Sequence, residues 1–167
     1  MTNETLNALN VKDIFNYNPE SGIFTWKTIH CQKIRIGAEA GSLNKTHGYI
    51  FIKYKGKRHP AHRIAWLYMH GNWPINNIDH INGNGKDNRI VNLREATQSQ
   101  NLQNKRAPQS NNTSGYLGVS LHKLTGKFMA QIRTKGKVTY LGLYEKAEDA
   151  HQEYLKEKRK RHDFCTI

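Results

Sequence analysis

An aspartate and a histidine stand side by side at Asp79-His80, framed by Ile78 and Ile81 and followed by Asn82-Gly83-Asn84. Downstream lie Asn88, Asn92-Leu93-Arg94-Glu95 and Gln100-Asn101. A neutral imidazole with a pKa near 6.5 can take a proton from water at neutral pH. One carboxylate and one amide oxygen suit a hard divalent cation such as Mg²⁺, which keeps several waters and completes its shell with substrate phosphate. Each residue type therefore has a task in phosphodiester hydrolysis. Asn, Asp and Gly also crowd into turns for steric reasons, and Asn82, Asn84, Asp87 and Asn88 read as loop residues.

Such a set needs elements that bring it together. The apolar frame around Asp79-His80 predicts a strand, the Gly/Asn/Asp-rich stretch a loop, and Leu93 to Ala96 a returning strand. Thr97-Gln98-Ser99-Gln100 fits a capping box, with Thr97 as N-cap and Gln100 reaching back. A helix then starts whose first turn holds Asn101. Upstream, residues 4–16 suggest a short helix with Leu6, Leu9, Ile14 and Phe15 as its apolar contacts. Pro19-Glu20-Ser21-Gly22 is a turn, and Ile23 to Trp26 has strand composition. Gly48 to Tyr54 reads as a strand turned by Lys55-Gly56, with a partner through Lys57 to His59. A helix follows between Pro60 and Gly71, with Ile64, Ala65, Leu67 and Tyr68 on its apolar side.

Residues 59–105 resemble the H-N-H endonuclease family, whose ββα-metal finger holds one divalent ion. The residues that carry the likeness are His62-Arg63, Trp66, Asp79-His80, Asn92-Leu93 and Asn101. The resemblance implies His80 as general base, Asn92 as the staple of the loop, and Asp79 and Asn101 as ligands of Mg²⁺ or Mn²⁺. Asn at the final position is the phage-type variant of the pattern. Tyr17-Asn18-Pro19-Glu20-Ser21-Gly22-Ile23-Phe24-Thr25-Trp26 also resembles the lead-in of those phage-type enzymes. Arg63 suits a phosphate, since guanidinium matches it bidentately; for His62 packing is the plainer reading. His30, His47, His59, His70 and His122 belong to no constellation.

Residues 105–114, KRAPQSNNTS, are polar and lack apolar periodicity, which predicts a linker. Beyond them residues 111–163 resemble the Apetala, or ethylene-response-factor, DNA-binding domain. The likeness rests on Ser114-Gly115-Tyr116-Leu117-Gly118-Val119, Gly126-Lys127-Phe128, Ala130-Gln131-Ile132-Arg133, Tyr140-Leu141-Gly142 and Ala147-Glu148-Asp149-Ala150. That family lays a three-stranded antiparallel sheet in the major groove, backed by a helix. Strands are expected near 116–122, 127–135 and 137–143, and a helix near 146–161. Independently, period-2 alternation puts Phe128, Ala130 and Ile132 on one face and Lys127, Met129, Gln131 and Arg133 on the other. A polar face suits base edges; Gln can pair with adenine and Arg with guanine. Leu117, Ser120, Gln131 and Tyr140 depart from the plant pattern, so its GC-rich specificity does not carry over. Candidate DNA contacts are Ser120, Lys127, Gln131, Arg133, Lys135 and Tyr140.

Composition sets the outer bounds. The net charge is +13, from 26 basic and 13 acidic residues. It divides almost evenly, with 13 basic and 7 acidic residues in 1–104 and 13 and 6 in 105–167. Both halves therefore attract polyanions, with nucleic acid first among them. Hydrophobic residues make up only 37%, which favours small cores over one thick one. No apolar run approaches the ~20 residues needed to span a bilayer, and the N-terminus does not read as a signal peptide. Cys31 and Cys165 are lone cysteines, consistent with a reducing cytoplasm.

The expected fold class is α+β: an N-terminal β-rich segment (1–58), an H-N-H finger (59–107), a linker (108–114) and a three-stranded antiparallel sheet packed on a helix (115–167). The expected protein is a metal-dependent endonuclease of double-stranded DNA, phage-encoded and of the homing type, with a monomer favoured. The alternative is a noncatalytic DNA-binding regulator.

Overall fold

The structure, a computed structural model, describes residues 5–29 and 31–167. His30, Glu4 and the rest of residues 1–4, on which parts of the sequence reading fall, lie outside it. The described chain is mixed α and β, with small antiparallel sheets and four α-helices. It divides into two compact units, the first ending at Ala96 and the second beginning at Thr97. Each unit has its own core, as a chain this poor in apolar residues requires.

The first unit opens with α1, Val11–Ile14, instead of the helix expected over 4–16. Asn side chains account for the difference. Asn7 Oδ1 accepts the N–H groups of Leu9 and Asn10, and Asn10 Oδ1 accepts that of Asn7. Such local bonds compete with the helical ladder. Leu9, expected to pack, is 89% exposed, whereas Leu6, Ile14 and Phe15 are buried. Phe15 begins β1 (Phe15–Asn18), which pairs with β2 (Ile23–Trp26) across the Pro19–Gly22 turn.

Three further strands form one sheet: β3 (Ser42–Asn44), which the sequence reading missed, β4 (Tyr49–Tyr54) and β5 (Lys57–Pro60). Then comes α2 (Ala61–His70), which Pro60 opens and Gly71 closes in the left-handed conformation at φ 76°. Ala61, Ile64, Ala65 and Leu67 bury its apolar side among Phe15, Phe24, Trp26 and Ile52. The last pair is β6 (Asn77–His80) with β7 (Leu93–Ala96), in a register that sets Asp79 opposite Arg94 and His80 opposite Leu93.

The second unit begins at the cap of α3 (Gln98–Gln103). The capping box is present: Thr97 Oγ1 accepts the Gln100 N–H at 3.3 Å, and Gln100 Oε1 accepts the Thr97 N–H at 2.8 Å. A three-stranded antiparallel sheet follows, β8 (Val119–His122), β9 (Lys127–Thr134) and β10 (Lys137–Tyr144), with β9 central. The first strand starts later than the expected 116 because 112–118 is drawn into turns. There Asn112 Nδ2 donates to the carbonyl oxygens of Tyr116 and Val119, and Ser114 Oγ donates to that of Val119. The final helix, α4 (Ala147–Arg161), packs on all three strands. It has Glu148 and Asp149 in its first turn and four basic residues in its last, the order its dipole favours. Ala130, Ile132, Val119, Ala147, Ala150 and Tyr154 are buried, while Gln131 and Arg133 face solvent. From Ala130 to Arg133 the alternation read from β9 is thus the one observed, while Lys127, Phe128 and Met129 are all half-buried.

Candidate active site

Asp79 and His80 end β6, and both are buried, each 5% exposed. Their strand pairing aims a cation at the carboxylate. Arg94 Nε donates to Asp79 Oδ2 at 2.9 Å and its terminal nitrogen lies 2.8 Å from the same oxygen.

The His80 ring is held by three neighbours that the sequence reading left as loop, strand or packing residues. Tyr49 of β4 stacks on it, with centroids 5.5 Å apart and planes at 24°. His62 of α2 meets it edge to face at 5.0 Å. Asn88 Oδ1 lies 3.4 Å from Nε2, a long contact. Burial lowers the proton affinity of His80, partly offset by Asn88 and by the negative charges of Asp79 and Asp87. The imidazole is therefore kept in the neutral form that a base requires.

The loop carrying Asn88 is built from its own amides and from the β1–β2 hairpin. Asn92 Oδ1 accepts the Asn82 N–H at 2.9 Å, and its Nδ2 donates to the Asp87 carbonyl oxygen at 2.8 Å, so one side chain bridges the two ends of the loop. Asp87 accepts from Asn82 Nδ2 and pairs with Arg89, whose guanidinium holds the carboxyl down at about 2. Tyr17 donates its hydroxyl to the Asn88 carbonyl oxygen at 2.6 Å. The hairpin turn comes so close that a Cβ on Gly22 would stand 2.5 Å from the Arg89 nitrogen. Gly85 likewise lets the loop lie against Tyr49, whose ring a Cβ there would meet at 2.6 Å.

His62 is 8% exposed, its Nδ1 has no hydrogen-bond partner, and burial pushes its pKa down to about 3. Arg63 donates to the carbonyl oxygens of Asn76 and Pro74 at 3.2 and 3.1 Å, tying α2 to the segment that leads into β6. Two of its donors are thereby committed to backbone.

Residues 59–103 match the family model of the HNH endonucleases. By that match the segment is similar to nucleases of the HNH type. It spans α2, β6, the Asn-rich loop, β7 and α3, and includes both Asp79-His80 and Asn101. No curated protein and no solved structure matches the chain. Asp79 and His80 belong to the first unit and Asn101, on α3, to the second.

HNH nucleases work with a divalent metal ion. Among the described residues no three His, Cys, Asp or Glu side chains group as a metal site. The expected donors are one carboxylate and one amide, both hard oxygens that fit Mg²⁺ or Mn²⁺. An ion on Asp79 has to share that carboxylate with Arg94.

In the second unit the expected DNA contacts fall on more than one kind of place. Gln131 and Arg133 lie exposed on β9, and Tyr140, 59% exposed, stands opposite Gln131 on β10. Ser120, on β8, lines with Gln131, Arg133, Lys105 and Gln109 a groove of about 360 Å³. Lys127 pairs with Glu145 at 2.6 Å, and Lys135 sits in the β9–β10 turn at φ 50°. Among the described residues no helix is long and apolar enough to cross a membrane. Cys31 and Cys165 are unpaired.

Proposed function

We propose that this chain is a Mg²⁺- or Mn²⁺-dependent DNA endonuclease, of the phage-encoded homing type, with a DNA-reading sheet of its own in the second unit. The observation that carries the reading is His80: a buried, neutral imidazole clamped by Tyr49, His62 and Asn88 beside Asp79, inside the segment that matches the HNH nucleases.

His80 takes a proton from the water that attacks phosphorus. Asn88 Oδ1 can only accept, so in the tautomer that donates to it Nε2 carries the ring proton and Nδ1 is the basic nitrogen. Asp79 and Asn101 hold the metal, which when bound neutralises charge on the phosphate. Asn92 keeps the loop in register through Asn82 and Asp87. The Arg63 donors left over from Pro74 and Asn76 face a phosphate. Ser120, Gln131, Arg133 and Tyr140 read base edges, while Lys127 and Lys135 hold backbone phosphates, a division between discrimination and affinity found wherever duplex DNA is read.

The Asp79–Arg94 ion pair favours one rival, a noncatalytic DNA-binding regulator that keeps the finger as scaffold. One experiment separates the two. Plasmid DNA incubated with the protein and Mg²⁺ is cut; EDTA stops cutting, and added Mg²⁺ or Mn²⁺ restores it. His80→Ala lowers the rate by at least ~10², the scale of a lost general base, and still binds DNA. Cutting that survives chelation, or a His80→Ala protein at the wild-type rate, overturns the assignment.

A further inference from the structure

Helix α3 is six residues long and has no buried residue. A helix that short is not stable by its own ladder, and this one has no apolar face to dock. Its start is held by the capping box. Its end is held by the far end of the same unit. Gln103 Oε1 accepts the Phe164 N–H at 3.3 Å, Thr166 Oγ1 donates to Asn104 Oδ1 at 2.7 Å, and Arg106 donates to Thr166 Oγ1. The Lys158 ammonium, on a residue only 1% exposed, donates to the Lys105 carbonyl oxygen.

Burying an ammonium costs free energy unless it is paired or hydrogen-bonded. In a chain with abundant exposed lysines, a buried one is a constraint the fold retains. Asn104, 4% exposed, is the matching buried amide immediately after α3. The stretch whose composition reads as a tether, 105–114, is thus tied at its start, through Lys105 and Arg106, to Lys158 and Thr166.

We propose that Lys158 and Thr166 are positioning residues for Asn101: the clasp between 103–106 and 158–166 sets the end of α3, and with it the amide offered to the metal. The inference rests on Asn101 being a ligand. It implies that the sheet-and-helix half does more than find the site, because the side chains that close it also orient part of the cleavage chemistry.

The test uses the full-length chain, supercoiled plasmid as substrate and Mg²⁺ as the varied component. The Mg²⁺ concentration for half-maximal cutting is measured together with Mn²⁺ binding, followed by electron paramagnetic resonance in the presence of a phosphorothioate duplex. Thr166→Val and Lys158→Met each raise the half-saturating metal concentration about 10-fold, the low end of what is lost when a ligand's supporting partner is removed. Thr166→Ser, which keeps the hydroxyl, stays at the wild-type value. Should Lys158→Met fail to fold, as its melting curve shows, Thr166→Val carries the test, since Thr166 is exposed. If both variants keep wild-type metal dependence while Asn101→Ala raises it, the clasp does not position the ligand and the inference falls. If Asn101→Ala is itself unchanged, the ligand assignment beneath it has failed.

Discussion

His62 is a histidine that the fold keeps uncharged. Its folded pKa, about 3, lies below its ordinary 6.5 because burial penalises the imidazolium, with His80 and Arg63 adding repulsion. The unfolded chain therefore binds this proton more readily than the folded one. The group costs nothing above pH 6.5, and stability is lost as pH falls from 6.5 towards 3, by at most about 1.4 kcal/mol per pH unit from this one site. Urea midpoints measured between pH 7 and pH 4 should fall for the wild type and fall less for His62→Phe. An equal slope in both proteins would show that His62 does not take part in acid unfolding. Asp79 and His80 stand out in the sequence by their adjacency, whereas Tyr49 and Asn88 do not. Nothing in a Gly-Tyr strand or an Asp-Asn loop announces contact with His80. Those contacts exist because Gly85 lets the loop approach Tyr49 and because the Tyr17 hydroxyl holds the Asn88 carbonyl, both long-range facts.

Between the elements of the first unit, the β1–β2 turn fits closely against the loop after β6. Gly22 is left-handed at φ 74°, and a Cβ there would lie 2.5 Å from the Arg89 nitrogen and 2.6 Å from the Asn88 carbonyl carbon. Both are backbone, so the loop has to move. Gly22→Ala is expected to cost about 1–3 kcal/mol in thermal or urea unfolding, the scale of a strained backbone site. It should also lower cutting by displacing Asn88 from His80. Unchanged cutting by a destabilised Gly22→Ala protein would mean that the loop's position does not matter to the base. Strong punctuation made most elements legible: Pro60 and Gly71 around α2, the Thr97–Gln100 box, and the Lys-Gly turns. Two readings failed where punctuation was weak. Asn7 and Asn10 diverted the first helix into turns, and β3 is a short edge strand of Ser42, Leu43 and Asn44 with no β-branched residue to signal it.

Across the whole molecule, positive charge belongs to both units, so affinity for DNA should fall steeply with salt while discrimination resides in few residues. Arg133→Ala should cost about 1–3 kcal/mol at one base position and relax preference there, whereas Lys156→Ala should weaken binding to all sequences alike. Competition with random duplex distinguishes the two. If Arg133→Ala weakens every sequence equally, that arginine contacts backbone and the base reader lies elsewhere. The same charge reaches into the hairpin turns. Lys55 and Lys135 occupy the first position of two-residue turns at φ 42° and 50°, each followed by a left-handed glycine. Among residues with a Cβ, Asn tolerates this backbone best, and both turns carry lysine in its place. A tip of this kind accepts conformational tension and keeps a cation at the most protruding point of its hairpin. Relaxing the tip should therefore exchange one property for the other. Lys55→Asn and Lys135→Asn are expected to melt at higher temperature and to bind DNA more weakly at low salt. A variant that gains stability with no loss of DNA affinity would show that the tip cation has no part in binding.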